Sequence, residues 1–229
     1  MKEYKASCAT CEQNLLQKVC WVENGKPGKN CPTVNAKDII ESSRKIYESD
    51  PALMEFARAA SVQEGECYAD RDRKPYIPHC VKPRIQEVCE FAKKLGYKRL
   101  GMAFCIGLVN EAAMLHRVLS AQGFEVISIM CKAGRIDKND IGVKDDEKIM
   151  IGLPEAMCNP VMQALYLNAA KTEFNILLGL CVGHDSIFFK YAEAPTTVLA
   201  VKDRVTGHNP MAALYTNTSY YMFMLRPGF

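Results

Sequence analysis

The sequence predicts an α/β fold: a small doubly wound, mainly parallel four-stranded sheet with helices on both faces. A helical segment and an N-terminal cysteine-rich metal knot precede it. Three observations lead there. Short, continuously apolar runs recur after residue 98, helical stretches alternate with them, and residues 1–33 carry four cysteines without any sustained apolar period. The chain therefore reads as three stretches: 1–33, a cysteine-rich metal-binding segment; 34–95, helices packed on the core; and 96–229, the α/β domain with a site at its strand ends.

Each element has a local reason. Asn35 reads as the cap of a helix running to about Glu48, and Asp50-Pro51 supplies an N-cap and a first-turn proline for the next one. A third helix over 83–95 puts Ile85, Val88, Phe91, Ala92 and Leu95 on one face, and Gly96 closes it. The first apolar run, 99–104, ends at Cys105; a helix over 110–121 follows, ended by Gly123. The second run, 125–130, ends at Cys131. After a long polar segment, Asn159 caps a helix over 160–171, which leads to the third run, 175–180, ending at Cys181. The fourth run, 197–201, stops before Lys202-Asp203-Arg204. Right-handed crossovers between such strands give a small doubly wound α/β domain.

Composition narrows the function. A chain of 229 residues, 48% of them apolar, has ample material for a core without cross-links. The net charge of +3 is too weak, and its lysines and arginines too interleaved with acids, to predict a nucleic-acid partner. No apolar run approaches the roughly 20 residues that span a bilayer, and the start, Met1-Lys2-Glu3-Tyr4-Lys5, lacks the apolar stretch of a secretion signal. The expectation is a soluble, cytoplasmic protein with no membrane contact. Eleven cysteines in a reducing compartment point to metal binding or redox chemistry rather than structural disulfides. Some, Cys89 among them, act as small buried hydrophobes.

The N-terminal cysteines carry the first candidate site. Cys8-Ala9-Thr10-Cys11 lets one tight turn present two sulfurs to one ion, and Cys20 and Cys31 complete four ligands. Cys31 precedes Pro32, as the last cysteine does in bacterial-type ferredoxin runs, although the gaps to Cys20 and Cys31 are longer. Four thiolates suit an iron–sulfur cluster of the four-iron type and suit zinc, the alternative.

This start resembles that of the predicted metal-binding proteins grouped as domain-of-unknown-function family 1847. So do Glu90-Phe91-Ala92-Lys93-Lys94-Leu95-Gly96-Tyr97, Ala103-Phe104-Cys105-Ile106-Gly107-Leu108 and Gly179-Leu180-Cys181-Val182-Gly183-His184-Asp185-Ser186. Val201-Lys202-Asp203-Arg204-Val205 with Gly207-His208-Asn209-Pro210 is similar too, so the resemblance covers nearly the whole chain. It implies a metal site in a prokaryotic, often anaerobic, setting, and implies no reaction.

The second candidate site lies in the α/β part. Three of four strands end in a cysteine, and ligands of open parallel sheets bind beyond the carboxyl ends of strands where the order reverses. If the strand order is 2-1-3-4, Cys105 and Cys181 are neighbours there, with Cys131 beside Cys105. Cys158, just before a helix N-terminus, joins them. The turn holding Gly183, His184, Asp185 and Ser186 offers backbone N–H groups to an anion, and His184 suits a metal or acid–base role. Arg204 suits a carboxylate or phosphate; Asp203 and His208 leave the next strand at the same edge. Cys105, Cys181, His184 and Arg204 are thus read as catalytic. Cys131, Cys158, Gly183, Asp185, Ser186, Asp203 and His208 are read as cofactor-binding. Cys67, His79 and Cys80, which lack tight ligand spacing, are read as not binding metal.

The expected function is a metal-binding protein with a cysteine-lined pocket, doing redox or sulfur-transfer chemistry on a small anionic molecule with an electron-transfer partner. The alternative is a non-catalytic zinc-binding or redox-sensing protein. No Walker loop or dinucleotide glycine fingerprint is present, which disfavours nucleotide-driven reactions and hydride transfer from a Rossmann-bound cofactor. The aromatic residues Tyr215, Tyr220, Tyr221 and Phe223 suit either the core or a second subunit of an oligomer.

Overall fold

The computed structural model describes residues 4–228, which divide into two compact units, one up to Val62 and one from Gln63 onward. The first unit opens with two short 3-10 turns, Cys8–Thr10 and Leu15–Gln17, the second capped by the Asn14 side chain. Two helices follow, α1 (Pro32–Asn35) and α2 (Lys37–Ser49). Asn35 does not cap α2, contrary to expectation. Pro32 presets the first position of a helical turn directly after Cys31, so Asn35 falls inside that turn and Ala36 occupies the cap. The next start is as expected: the Leu53 amide donates to Asp50 Oδ1 at 3.0 Å and Pro51 opens α3 (Pro51–Glu66), which continues into the second unit.

In the second unit α4 (Arg84–Lys94) buries Val88, Cys89, Phe91 and Ala92, and Gly96 takes the left-handed conformation that ends it. Then come β1 (Arg99–Phe104), α5 (Val109–Ala121), β2 (Glu125–Met130), α6 (Pro160–Ala169), β3 (Phe174–Leu180), α7 (His184–Tyr191), β4 (Thr196–Val201) and a short α8 (Met211–Tyr215). β1 and β2 have the expected bounds; β3 and β4 each begin one residue earlier, and α6 ends two residues sooner.

All strands are parallel, in the order β2-β1-β3-β4, the order on which the strand-end site was conditional. The chain leaves β1 outward for β2, then crosses back for β3, so right-handed connections put α5 on one face and α6 and α7 on the other. Alternation along the strands divides the side chains. Ala103, Ile129 and Leu177 join Ala164, Leu167 and Phe188 in one core beneath α6 and α7. Leu100 and Met102 are equally buried. Every residue of β3 is buried, whereas the edge strand β4 is half-buried throughout. Each fully buried Leu, Ile, Met or Phe contributes about 2 kcal/mol of apolar transfer.

One polar residue ties this core to the sheet's carboxyl edge. Gln163 of α6 is wholly buried, and its Nε2 donates to the carbonyls of Phe104 (3.2 Å) and Ile129 (2.9 Å). It clamps β1 to β2 just before the cysteines that follow them. Among the described residues no helix is long and apolar enough to cross a membrane.

Candidate functional site

Strand register builds the site. Phe104 pairs with Met130, so Cys105 and Cys131 are the next residues outward on neighbouring parallel strands, which lie about 4.8 Å apart. The Cys131 amide donates to Phe104 O at 2.9 Å, and the Ile106 amide donates to Cys131 Sγ at 3.3 Å. Cys158 arrives from the other direction. The Asn159 amide donates to Cys131 O at 2.8 Å while its side chain accepts from Met162 N at 2.9 Å, the cap expected for α6. That pair of bonds sets Cys158 against Cys131. From Cys158 the contact continues to the His184 side chain at the start of α7.

The result is a row, Cys105–Cys131–Cys158–His184, in which each side chain interacts electrostatically with the next. Cys131 is the most buried, Cys105 nearly so, and Cys158 half-exposed. Cations stand at both ends: the Lys202 ammonium donates to Cys105, and Lys132 lies beside Cys158 and His184 while bonded to Ala156 O. Gly107 leaves room for Lys202, because a Cβ there would come 3.0 Å from its Nζ.

These contacts decide where the protons reside. Cys131 lies between two thiols, so its own thiolate is opposed by both neighbours and by burial, and its pKa is driven up. Cys158 is held down to about 4, chiefly by the hydrogen bond from Cys131, then by His184, against the cost of burial. Cys105 is held down to about 5 by Cys131 first, with the Gly107 amide and Lys202 assisting. One S–H proton cannot serve two acceptors at once, so the outer thiols compete for it. Cys158 retains two cations when Cys131 turns away and is the firmer thiolate. Its negative charge raises the pKa of His184, with Asp185 adding to it and Lys132 opposing. Cys158 and His184 thus each favour the other's charged form.

Cys181 does not join this row. The β1–β3 register, with Phe104 against Leu178, carries Cys181 two residues beyond the position opposite Cys105, and Gly179 takes φ +69° at an irregularity in the β3–β4 pairing. Arg204 Nη2 donates to Cys181 Sγ at 3.2 Å instead. Asp203 shapes its own loop, its carboxylate accepting from the amides of Val205 (2.9 Å) and Thr206 (3.0 Å), which holds its pKa below the usual carboxylate value. His208 Nδ1 sits 3.0 Å from Val201 O and accepts from the Asp203 amide at 3.3 Å, closing the same loop. Gly183 precedes α7 with φ +85°, and Asp185 Oδ1 accepts from the Ser186 amide at 2.7 Å.

The long polar segment after Cys131 is a closed excursion. An antiparallel bridge joins Asp137 to Ala156, Lys138 pairs with Glu155 at 2.7 Å, and the buried Lys148 contacts Asp145 at 2.7 Å and Asp137 at 3.8 Å. These ties return the chain to Cys158.

In the first unit, the turn carrying Cys8 and Cys11 is fastened to the turn before Cys31: Ser7 Oγ donates to Lys29 O at 2.7 Å, and Cys11 Sγ lies over Gly28. Burial pushes the Cys31 thiol up, but the Thr33 hydroxyl and the backbone of Thr33, Val34 and Gly28 outweigh it, and its pKa is lowered. Cys20 is exposed on a separate turn. Among the described residues no group of three or more His, Cys, Asp or Glu side chains is gathered for a metal ion. Cys67 donates to Glu87 Oε1 and Gln63 O, Cys80 is exposed beside Tyr68, and His79 is 4.0 Å from Asp70.

Lys132, Lys202 and Gln163 were not among the residues expected at the site. Both lysines directly follow a strand or a strand-end cysteine, a signal present in the sequence; nothing local marks Gln163.

A model of the family described as "Protein of unknown function (DUF1847)" matches residues 31–199. The chain is also similar to "Uncharacterized protein MJ0455" of Methanocaldococcus jannaschii, at 41% identity over 221 residues, covering 96% of this chain and 98% of that protein. No solved structure matches it.

Proposed function

Because the chain belongs to the DUF1847 family, a family of unknown function, we propose its activity from its own site: thiolate-based redox or sulfur-transfer chemistry on a small anionic molecule. The observation that carries this is the row of three thiols at the sheet's carboxyl edge with a cation at either end. A thiolate is the nucleophilic form of cysteine, and Cys158 is the one that is both stabilised and reachable. His184, whose pKa the Cys158 thiolate raises, stands next to it as a group that can pass a proton to a leaving group. Lys132, Lys202 and Arg204 favour an anion over a neutral or cationic molecule.

The test is competitive labelling with limiting iodoacetamide at pH 5, followed by peptide mapping. An ordinary thiol is almost wholly protonated there; the gain for Cys158 is offset in part by the lower nucleophilicity of a low-pKa sulfur, leaving an advantage of about tenfold. Cys158 is expected to be labelled ahead of the exposed Cys8, Cys20 and Cys80. Equal labelling of all four would end this reading.

A second reading has its own observation. The hydrogen-bonded Cys31 thiol, with the turn of Cys8 and Cys11 fastened beside it, favours the N-terminal cysteines as metal ligands, with Cys20 as the fourth. An iron–sulfur cluster there would supply one-electron transfer, and zinc would contribute to folding alone. Anaerobic purification followed by metal analysis is expected to find iron, or else zinc, bound stoichiometrically, and Cys31→Ser to lose most of it. A protein without bound metal, or a variant that retains it all, removes the N-terminal site.

A further inference from the structure

Resting on the thiolate reading, we propose that the row is a non-contiguous dithiol centre for exchange with a small anionic disulfide, with Cys158 as nucleophile, Cys131 as resolving thiol and Cys105 as proton acceptor. No Cys-x-x-Cys motif underlies it. Tertiary structure supplies the pairing: strand register sets Cys105 beside Cys131, and the Asn159–Cys131 bond sets Cys158 on its other side. Three thiols in consecutive contact are one more than an exchange couple needs, and the third has a use.

The steps balance. The Cys158 thiolate attacks one sulfur of RS–SR, forming the mixed disulfide Cys158–S–SR and releasing RS⁻. With Cys158 in the mixed disulfide it no longer competes for the Cys131 proton; Cys131 then gives that proton to the neighbouring Cys105 thiolate and attacks the Cys158 sulfur. A Cys131–Cys158 disulfide forms and the second RS⁻ leaves. The two sulfurs of the protein lose two electrons and the substrate gains them. Cys105 ends protonated, so no charge is created within the buried site. Run backwards with a small dithiol or two thiols, the same path resets the centre.

The substrate's charge follows from what each step uncovers. Once Cys158 is in the mixed disulfide it is neutral, and Lys132 and the His184 side chain lose the thiolate they faced. Asp185 stands near His184 but is engaged with the Ser186 amide. An anionic group on the substrate restores the balance; a cationic one adds to the excess.

The reduced, full-length protein is mixed anaerobically with one equivalent of dithiodiglycolate, a dianionic disulfide, quenched with acid and mapped by mass spectrometry. A link between the Cys131 and Cys158 peptides is expected in the wild type, and in Cys131→Ser a thioglycolate adduct retained on Cys158. A stable Cys158 adduct in the wild type with Cys131 free, or a Cys105–Cys131 link in its place, overturns the exchange assignment and leaves the reactive thiolate standing. Unmodified Cys158 overturns both. The rate is also compared with that of neutral bis(2-hydroxyethyl) disulfide, each divided by its rate with free cysteine. The dianion is expected to be favoured about tenfold at low salt, with the preference shrinking at high salt. Equal normalised rates overturn the anionic substrate class.

Discussion

Cys131→Ala is expected to move the pH midpoint of Cys158 alkylation upward by at least about one unit, and His184→Asn by a smaller amount. In the wild type the midpoint should lie near the value of about 4 at which this thiol is held. The sign follows from which form reacts. Only the thiolate is alkylated, so whatever stabilises the thiolate lets reaction persist to lower pH, and removing it shifts the profile toward the ordinary range near 8.5. Cys131 supplies the largest stabilisation and His184 the next, which sets the order of the two variants. The midpoint is the quantity to measure. Absolute rates at neutral pH mislead, because a sulfur with a depressed pKa gains thiolate population but loses nucleophilicity, and the two nearly cancel. Two profiles superimposable on the wild type would show that the row has no influence on Cys158.

Gly179→Ala should be strongly destabilising for the second unit, by about 2–5 kcal/mol in urea unfolding. Two costs add there. A left-handed backbone opposes any Cβ by about 1–2 kcal/mol, and Gly179 has φ +69°. The new methyl would also be driven into the Leu108 side chain, which is itself buried, and overpacking of that kind costs about 1–3 kcal/mol. Gly183→Ala separates the two costs. Gly183 has φ +85°, but open space surrounds its α-carbon, so only the backbone cost applies and about 1–2 kcal/mol is expected. If the two variants lose equal stability, the Leu108 contact carries no weight. In Gly179→Ala, Cys181 should also lose its placement against Arg204, because the bend at this glycine aims the strand end.

Much of the α/β architecture was legible in the residues. Continuous apolar runs bounded by Gly96 and Gly123 located β1 and β2 to the residue, and Asp50-Pro51 and Asn159-Pro160 marked two helix starts. These signals are local: a cap, a proline or an apolar run acts over one turn or one strand. Asn35 was misread because Pro32 initiates a helical turn of its own three residues earlier, and the two caps compete for the same backbone. The site was legible in outline. Cysteines at the ends of successive strands pointed to one edge, and Cys131 stands beside Cys105 as expected. Cys181 was expected beside Cys105 and instead faces Arg204. Strand ends alone suggest that neighbourhood; the β1–β3 register, with Phe104 against Leu178, puts Gly179 opposite Cys105 and Cys181 two residues further out, and nothing in the letter sequence fixes that register.

The amino-acid sequence alone determined the element types and the parallel sheet, because continuous apolar runs alternating with capped helices leave few other arrangements. Tertiary structure alone decided which thiols touch, which cation each one faces, and therefore which sulfur holds the proton. Those outcomes depend on register, on a single backbone irregularity and on the buried Gln163 clamp. Each of these joins residues dozens of positions apart, and a hydrogen bond between sulfurs is made or lost over a displacement smaller than one residue's rise along a strand.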